Sequence, residues 1–243
     1  MTLAPLGDSA VVVTLGNKID ELTLLRVRSL TSELVREKSP DIIDVVPAYT
    51  TVTVFYEIVP NGMTLEPPYE RVCRFVTNCL KRVEDRWPEL VRANSGKTSR
   101  LGTDQAHVIE IPVCYGGEFG SDIDEVARLG GVSTEDVAVL HSGVVYEVHA
   151  IGFTPGFPYL AGLPEKLHVP RRSTPRMAVP AGSVGIGGRQ TGIYPLSSPG
   201  GWQLIGRTPQ TLFDVNHHPP ALLLVGDRVK FKPISPQEFE TWR

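Results

Sequence analysis

The sequence predicts an α+β chain in which a small sheet-and-helix domain at residues 1–93 precedes a closed or nearly closed β-barrel at 106–243. Three observations carry this reading. Strand and helix periods alternate through the first third, the stretch 94–105 has little to bury, and after Val144 short apolar runs are broken repeatedly by Gly and Pro.

Taken in order, Ala10 to Leu15 is an apolar, β-branched run closed by Gly16 and Asn17, which reads as a strand. Asp20 is placed to cap a helix whose Val27, Leu30 and Leu34 share one face. Ile42 to Val46 and Thr51 to Tyr56 read as neighbouring strands with Pro47 in their connection. Tyr69, Val72, Val76, Cys79, Leu80 and Val83 recur at three- and four-residue steps and predict a second helix. The order strand, helix, strand, strand, helix suggests a sandwich with both helices on one sheet face. Ser, Gly, Thr, Lys and Asp then make 94–105 a linker. Val108 to Val113 resumes as a strand. Asp122 with Glu125 and Ser133 with Asp136 signal two short helices, which Gly130 and Gly143 would close. The remainder alternates brief apolar runs with turn residues, the pattern of a barrel.

A net charge of −3 without a Lys/Arg run leaves no footprint for nucleic acid or an anionic membrane surface. No apolar stretch is long enough to span a bilayer and the N-terminus lacks a secretion signal, so a cytoplasmic location is expected. Cys73, Cys79 and Cys114 lack metal-type spacing and read as reduced, packed thiols. His217 and His218 likewise form no metal-ligand pattern, and no metal site is expected.

Several polar residues stand out against this background. VPAGSVGIGGRQTGIYP carries five glycines but no Lys-Ser/Thr and no following helix, so it is either a set of barrel turns or a backbone held close to a small ligand, and not a self-contained nucleotide loop. Gln190, Thr191 and Tyr194 sit among those glycines. In PRRSTPR, Arg171, Arg172 and Arg176 are either a solvated turn or a fork for a carboxylate, the second reading being stronger for Arg176, which leads into the apolar run Met177 to Val179. Trp202 and Gln203 follow a Gly-Gly turn, Trp202 serving either the core or a ligand. His141, in the last turn of a predicted helix, either complements the helix dipole or acts as a general acid/base. No nucleophile elbow or paired-carboxylate signature is present, so the residues alone indicate a polar pocket without naming its chemistry.

The strings IPVCYGGEFGSDIDEVA, GFTPGFPYLAGLP, VPAGSVGIGGRQTGIYP and SPGGWQLIGRTP, with LGDSAVVV and PAYTTVTVFY earlier, resemble the family of 5-oxoprolinase B subunits over nearly the whole chain. That family is also named for the histidine-kinase inhibitor KipI and for allophanate hydrolase subunit 1. The resemblance implies a ferredoxin-like α/β domain followed by a cyclophilin-like β-barrel. It further implies ATP-dependent opening of 5-oxo-L-proline to L-glutamate together with the A and C subunits, ATP and magnesium being used by the assembled complex. Inhibition of a sensor histidine kinase is the alternative activity. By the same resemblance His141 and Glu118 are the expected catalytic residues, and Arg176, Gln190, Thr191, Tyr194, Trp202 and Gln203 the expected substrate contacts. His149 and Arg189 are small departures at the pocket rim.

Overall fold

The computed structural model describes residues 1–58, 66–94 and 108–242. The chain divides into two compact units, Met1–Gln105 and Ala106–Arg243, and the expected linker at 94–105 lies outside the described residues except for Asn94.

The first unit begins with β1 (Thr2–Pro5) and β2 (Ala10–Thr14), followed by α1 (Glu21–Glu37), β3 (Ile42–Ala48), β4 (Thr51–Tyr56), α2 (Pro68–Asp85) and α3 (Trp87–Asn94). The strands pair antiparallel in the order β1-β2-β4-β3. Strand alternation puts Val11 and Val13 opposite Val54 and Val52. These four pack with Val27, Leu30 and Leu34 of α1 and Val72, Val76 and Cys79 of α2. Each such side chain contributes roughly 1.5–3 kcal/mol by leaving water. Asp20 caps α1 by accepting the Thr23 N–H at 2.8 Å. Pro47 lies inside β3 opposite Val52 rather than in the connection, because Tyr49, at φ 51°, and Thr50 make the turn. The strand β1 and the helix α3 are additions to the expected elements.

The second unit contains β5 (Val108–Tyr115), α4 (Ile123–Gly130), α5 (Thr134–Ser142), β6 (Val145–Ile151), β7 (Pro158–Ala161), β8 (Arg176–Val179), β9 (Ser183–Gly187), β10 (Gln190–Ile193), β11 (Ser198–Gly200), β12 (Gln203–Arg207), β13 (Arg228–Pro233) and α6 (Pro236–Thr241). Seven strands follow one another as β6-β13-β5-β12-β9-β10-β7, and pairing of β7 with β6 closes the barrel. Its pairings are antiparallel except β13 with β5. The strands β8 and β11 form a separate ribbon. Val113, Val148, Leu160, Val184, Ile186, Ile193, Ile205, Val229 and Phe231 belong to one apolar cluster that also takes Val126 of α4 and Val137 of α5.

The α5 helix starts with the expected capping box of Ser133 and Asp136. In α4 the left-handed cap is Gly131, at φ 64°, one residue beyond the expected Gly130. Asp122 stands at the N-cap of α4 but makes no cap hydrogen bond, its carboxylate being used elsewhere. Cys79 and Cys114 are buried and Cys73 is half-buried, all three as free thiols. Among the described residues no helix is long and apolar enough to cross a membrane.

Candidate functional site

On the barrel strands alternate residues turn inward and outward, and outside one wall Leu204 of β12 clusters with Phe157, Tyr194 and Trp202, which flank β7, β10 and β12, and with Val179 of the ribbon strand β8, Tyr159 packing against them. Two glycines make room for the indole. A Cβ at Gly187 would stand 2.7 Å from the Trp202 ring, and one at Gly185 would stand 3.1 Å from the Trp202 Cβ. The glycine-rich segment therefore lets Trp202 lie flat on β9. Phe157 meets Trp202, Tyr194 and Tyr159 with ring centroids at 5.5, 5.1 and 4.9 Å.

Between these rings and the β8–β11 ribbon lies a cavity of about 280 Å³. Its lining includes Phe153, Phe157, Tyr159, Tyr194 and Trp202, with Pro175, Pro199, Gly200 and Gly201 from the covering segments. Phe153 is 62% exposed and sits at φ 69°. A bulky side chain in the left-handed region is strained, and such strain gathers where a binding surface must be shaped. Burial raises the pKa of Tyr159 and Tyr194, the charge of Arg171 opposing it in both, so both hydroxyls stay protonated donors at neutral pH.

Arg171 is the one charged side chain in this lining, with its guanidinium 5.6 Å from the Trp202 ring centroid. Its neighbours hold it there. Gln203 Nε2 donates to the Pro170 carbonyl at 3.2 Å, and the Arg172 N–H donates to the Gly201 carbonyl at 2.7 Å. Arg172 and Arg176 both donate to Oδ1 of the buried Asp122, at 3.0 and 2.6 Å. Oδ2 of Asp122 accepts the Leu204 N–H at 2.7 Å. One carboxylate thus ties the arginine segment to β12. Arg176, expected to grip substrate, gives Nη2 to Asp122 and Ser121 and does not line the cavity, while its buried Nη1 has no hydrogen-bond partner among the described residues.

His141 lies in the barrel core, fully buried, stacked 4.5 Å from Phe231. The Thr191 hydroxyl donates to the Gly185 carbonyl at 2.9 Å, so its oxygen accepts from His141 Nε2–H, also at 2.9 Å. Nδ1 is then left to accept the Tyr115 hydroxyl at 2.8 Å. Burial lowers the His141 pKa to about 3, consistent with this neutral, fully bonded imidazole. With both ring nitrogens engaged inside the apolar core, the expected general acid/base stands as a buried core histidine that does not line the outer-wall cavity.

Of the expected site residues, only Tyr194 and Trp202 line the cavity. His141 and Thr191 form the interior chain, and Gln203 is buried with Oε1 unpartnered among the described residues. Gln190 opens β10, and Glu118 is exposed on the turn after β5; neither lines the cavity. Phe153, Phe157 and Tyr159 are the contributions that spacing did not single out, and Arg171 is the member of the arginine cluster that lines the cavity, where Arg176 was the stronger expectation. No group of His, Cys, Asp or Glu among the described residues could hold a metal ion.

Residues 1–223 match the family described as carboxyltransferase domain, subdomain C and D. The chain is 41% identical over 98% of its length to the 5-oxoprolinase B subunit of Bacillus subtilis, covering 95% of that protein. It is 44% identical over 95% of its length to the 5-oxoprolinase B subunit of Haemophilus influenzae, covering 97% of it. The chain belongs to the family of 5-oxoprolinase B subunits. Among solved structures, that of TTHA0988 is 35% identical with a TM-score of 0.73, covering 93% of this chain. The present chain spans 40% of the length of that structure. The family match runs through the whole outer-wall site, from Phe153 to Trp202.

Proposed function

We propose that the chain is the B subunit of a bacterial ATP-dependent 5-oxoprolinase, which with the A and C subunits converts 5-oxo-L-proline to L-glutamate, and that the outer-wall cavity is where it meets the substrate. The observation that carries the reading is near full-length identity to two 5-oxoprolinase B subunits in a chain whose aromatic-walled cavity of about 280 Å³ suits a small ring. In this reading the N-terminal unit is ferredoxin-like, with β1 as an added edge strand, and the barrel is cyclophilin-like.

Trp202 and Tyr194 provide flat surfaces for the five-membered lactam, while the Tyr159 and Tyr194 hydroxyls, kept protonated by burial, are donors for the amide oxygen. Arg176 and Gln203 act one layer back, through Asp122 and Pro170. His141 and Thr191 keep the barrel packed beneath. The described residues do not fit a nucleotide: the glycines at 185 and 187 are taken up by Trp202, and no acidic cluster stands near them to hold magnesium. ATP and magnesium belong to the assembled complex, with the nucleotide site on a partner subunit.

The test is a coupled assay of glutamate formation and ATP hydrolysis with the purified A and C subunits and this chain. Turnover of both is expected only when this chain is present, and this chain alone should hydrolyse ATP no faster than background. Equal glutamate formation with the chain omitted would remove it from the reaction.

A further inference from the structure

We infer that Arg171 is the carboxylate anchor of the outer-wall cavity and so the residue that selects small, flat, anionic ring compounds over neutral amides. The inference rests on the 5-oxoprolinase reading for the identity of the ligand, but its physical basis is separate. Three arginines lie within six residues, and their surroundings divide them. Arg172 and Arg176 share the one carboxylate of buried Asp122, which engages Arg172 Nη1 and Arg176 Nη2 although it neutralises only one of the two charges, and neither arginine lines the cavity. Arg171 has no acidic partner among the described residues and is exposed, with its guanidinium over the Trp202 indole at 5.6 Å.

Among the described residues the cavity it borders has no acidic lining residue, so the charge that a ligand meets in that lining is positive. A guanidinium presents two parallel N–H donors that match a carboxylate, and an indole beneath it offers a flat face to the ring that carries the carboxylate. Placement is already set before binding. Pro170 is held through its carbonyl by Gln203 and Arg172 through its N–H by Gly201, on either side of Arg171. Only the side chain remains to be ordered by a ligand, which lowers the entropic cost of binding.

The experiment measures kcat and KM of the reconstituted complex for 5-oxo-L-proline and for 2-pyrrolidinone, which has the same lactam ring without the carboxylate. Arg171→Ala should raise KM for 5-oxoproline by roughly tenfold to a hundredfold with kcat changed much less. Use of 2-pyrrolidinone is expected to be weak in the parental complex and no weaker in the variant, and Arg171→Lys should recover only part of the loss on 5-oxoproline. An unchanged KM for 5-oxoproline, or an equal loss on both compounds, would overturn the assignment. Should the parental complex fail to use 5-oxoproline, the functional reading falls, and ligand-detected NMR of 5-oxoproline and 2-pyrrolidinone against this chain decides the anchor separately. Binding of the acid alone, lost in Arg171→Ala, would uphold it. Absent binding of the acid, or binding that persists in the variant, would overturn it.

Discussion

Arg176 donates through Nη2 to Oδ1 of Asp122 at 2.6 Å, in a pair whose acidic member is 5% exposed. Arg172 reaches the same oxygen at 3.0 Å with a more exposed side chain, 37% against 24%. The two arginines are thus unequal holders of one carboxylate that also secures β12. Arg176→Ala should destabilise the chain by about 2 kcal/mol and Arg172→Ala by less than about 1, the partial exposure of both guanidinium groups keeping the losses below those of a fully buried pair. Urea unfolding midpoints of the two variants give the ordering. Equal midpoints, or a larger loss for Arg172→Ala, would show that Asp122 does not depend on Arg176.

The neutral His141 makes stability depend on pH in a defined window. In the unfolded chain the imidazole takes up its proton near 6.5, whereas in the fold it does so only at about 3. Between those values the unfolded state binds more protons, so the stabilising preference for the neutral ring is complete above about 6.5 and is lost as pH falls toward 3. One such group can contribute a slope approaching ~1.4 kcal/mol per pH unit. His141→Gln, which keeps polar atoms within reach of Tyr115 and Thr191, should flatten stability against pH between 4 and 6 as measured by chemical denaturation, ~4 and ~6 bracketing the interior of that window. Parallel curves for parent and variant would show that the ring is not held neutral.

Gly187 should accept no side chain. Its added Cβ would stand 2.7 Å from the Trp202 ring, so Gly187→Ala must shift either the indole or β9. A loss of about 1–3 kcal/mol is expected, as for other overpacked cores, with the near-ultraviolet dichroism of Trp202 altered. An unchanged spectrum and thermal midpoint would mean that the indole is not packed on this glycine.

How far the sequence revealed these arrangements differs between fold and site. Periodicity and caps were enough for α1, α2 and the capping box at Ser133 and Asp136, because those signals act within a few residues. Short runs cut by Gly and Pro pointed to a closed or nearly closed barrel, and the pairing of β7 with β6 that closes it is a contact no local pattern specifies. The site was less legible. Trp202 and Tyr194 stand out as aromatic residues beside glycines, and both do line the cavity. The choice among Arg171, Arg172 and Arg176 rests on Asp122, some 50 residues earlier in the chain. No local pattern reports that partnership. His141 shows the same limit, since a histidine at a helix end looks alike whether the next layer is solvent or the barrel core.

The measurement that bears most directly on the outer-wall cavity as the substrate site is the activity of a complex in which that cavity has been filled from its own wall. Gly201 lines the cavity, and the nearest atoms to a Cβ there would be those of the Pro175 ring, at 3.6 Å, and the Arg172 carbonyl oxygen, at 3.8 Å, in ordinary contact. Gly201→Leu therefore adds an apolar side chain where there is space for one and should leave the unfolding midpoint close to that of the parent. The expected result is loss of 5-oxoproline-dependent turnover, with kcat/KM down by roughly a hundredfold or more, about 2.7 kcal/mol of lost transition-state binding. Parental kcat/KM in a complex that carries Gly201→Leu would contradict the placement of substrate against Trp202 and Arg171.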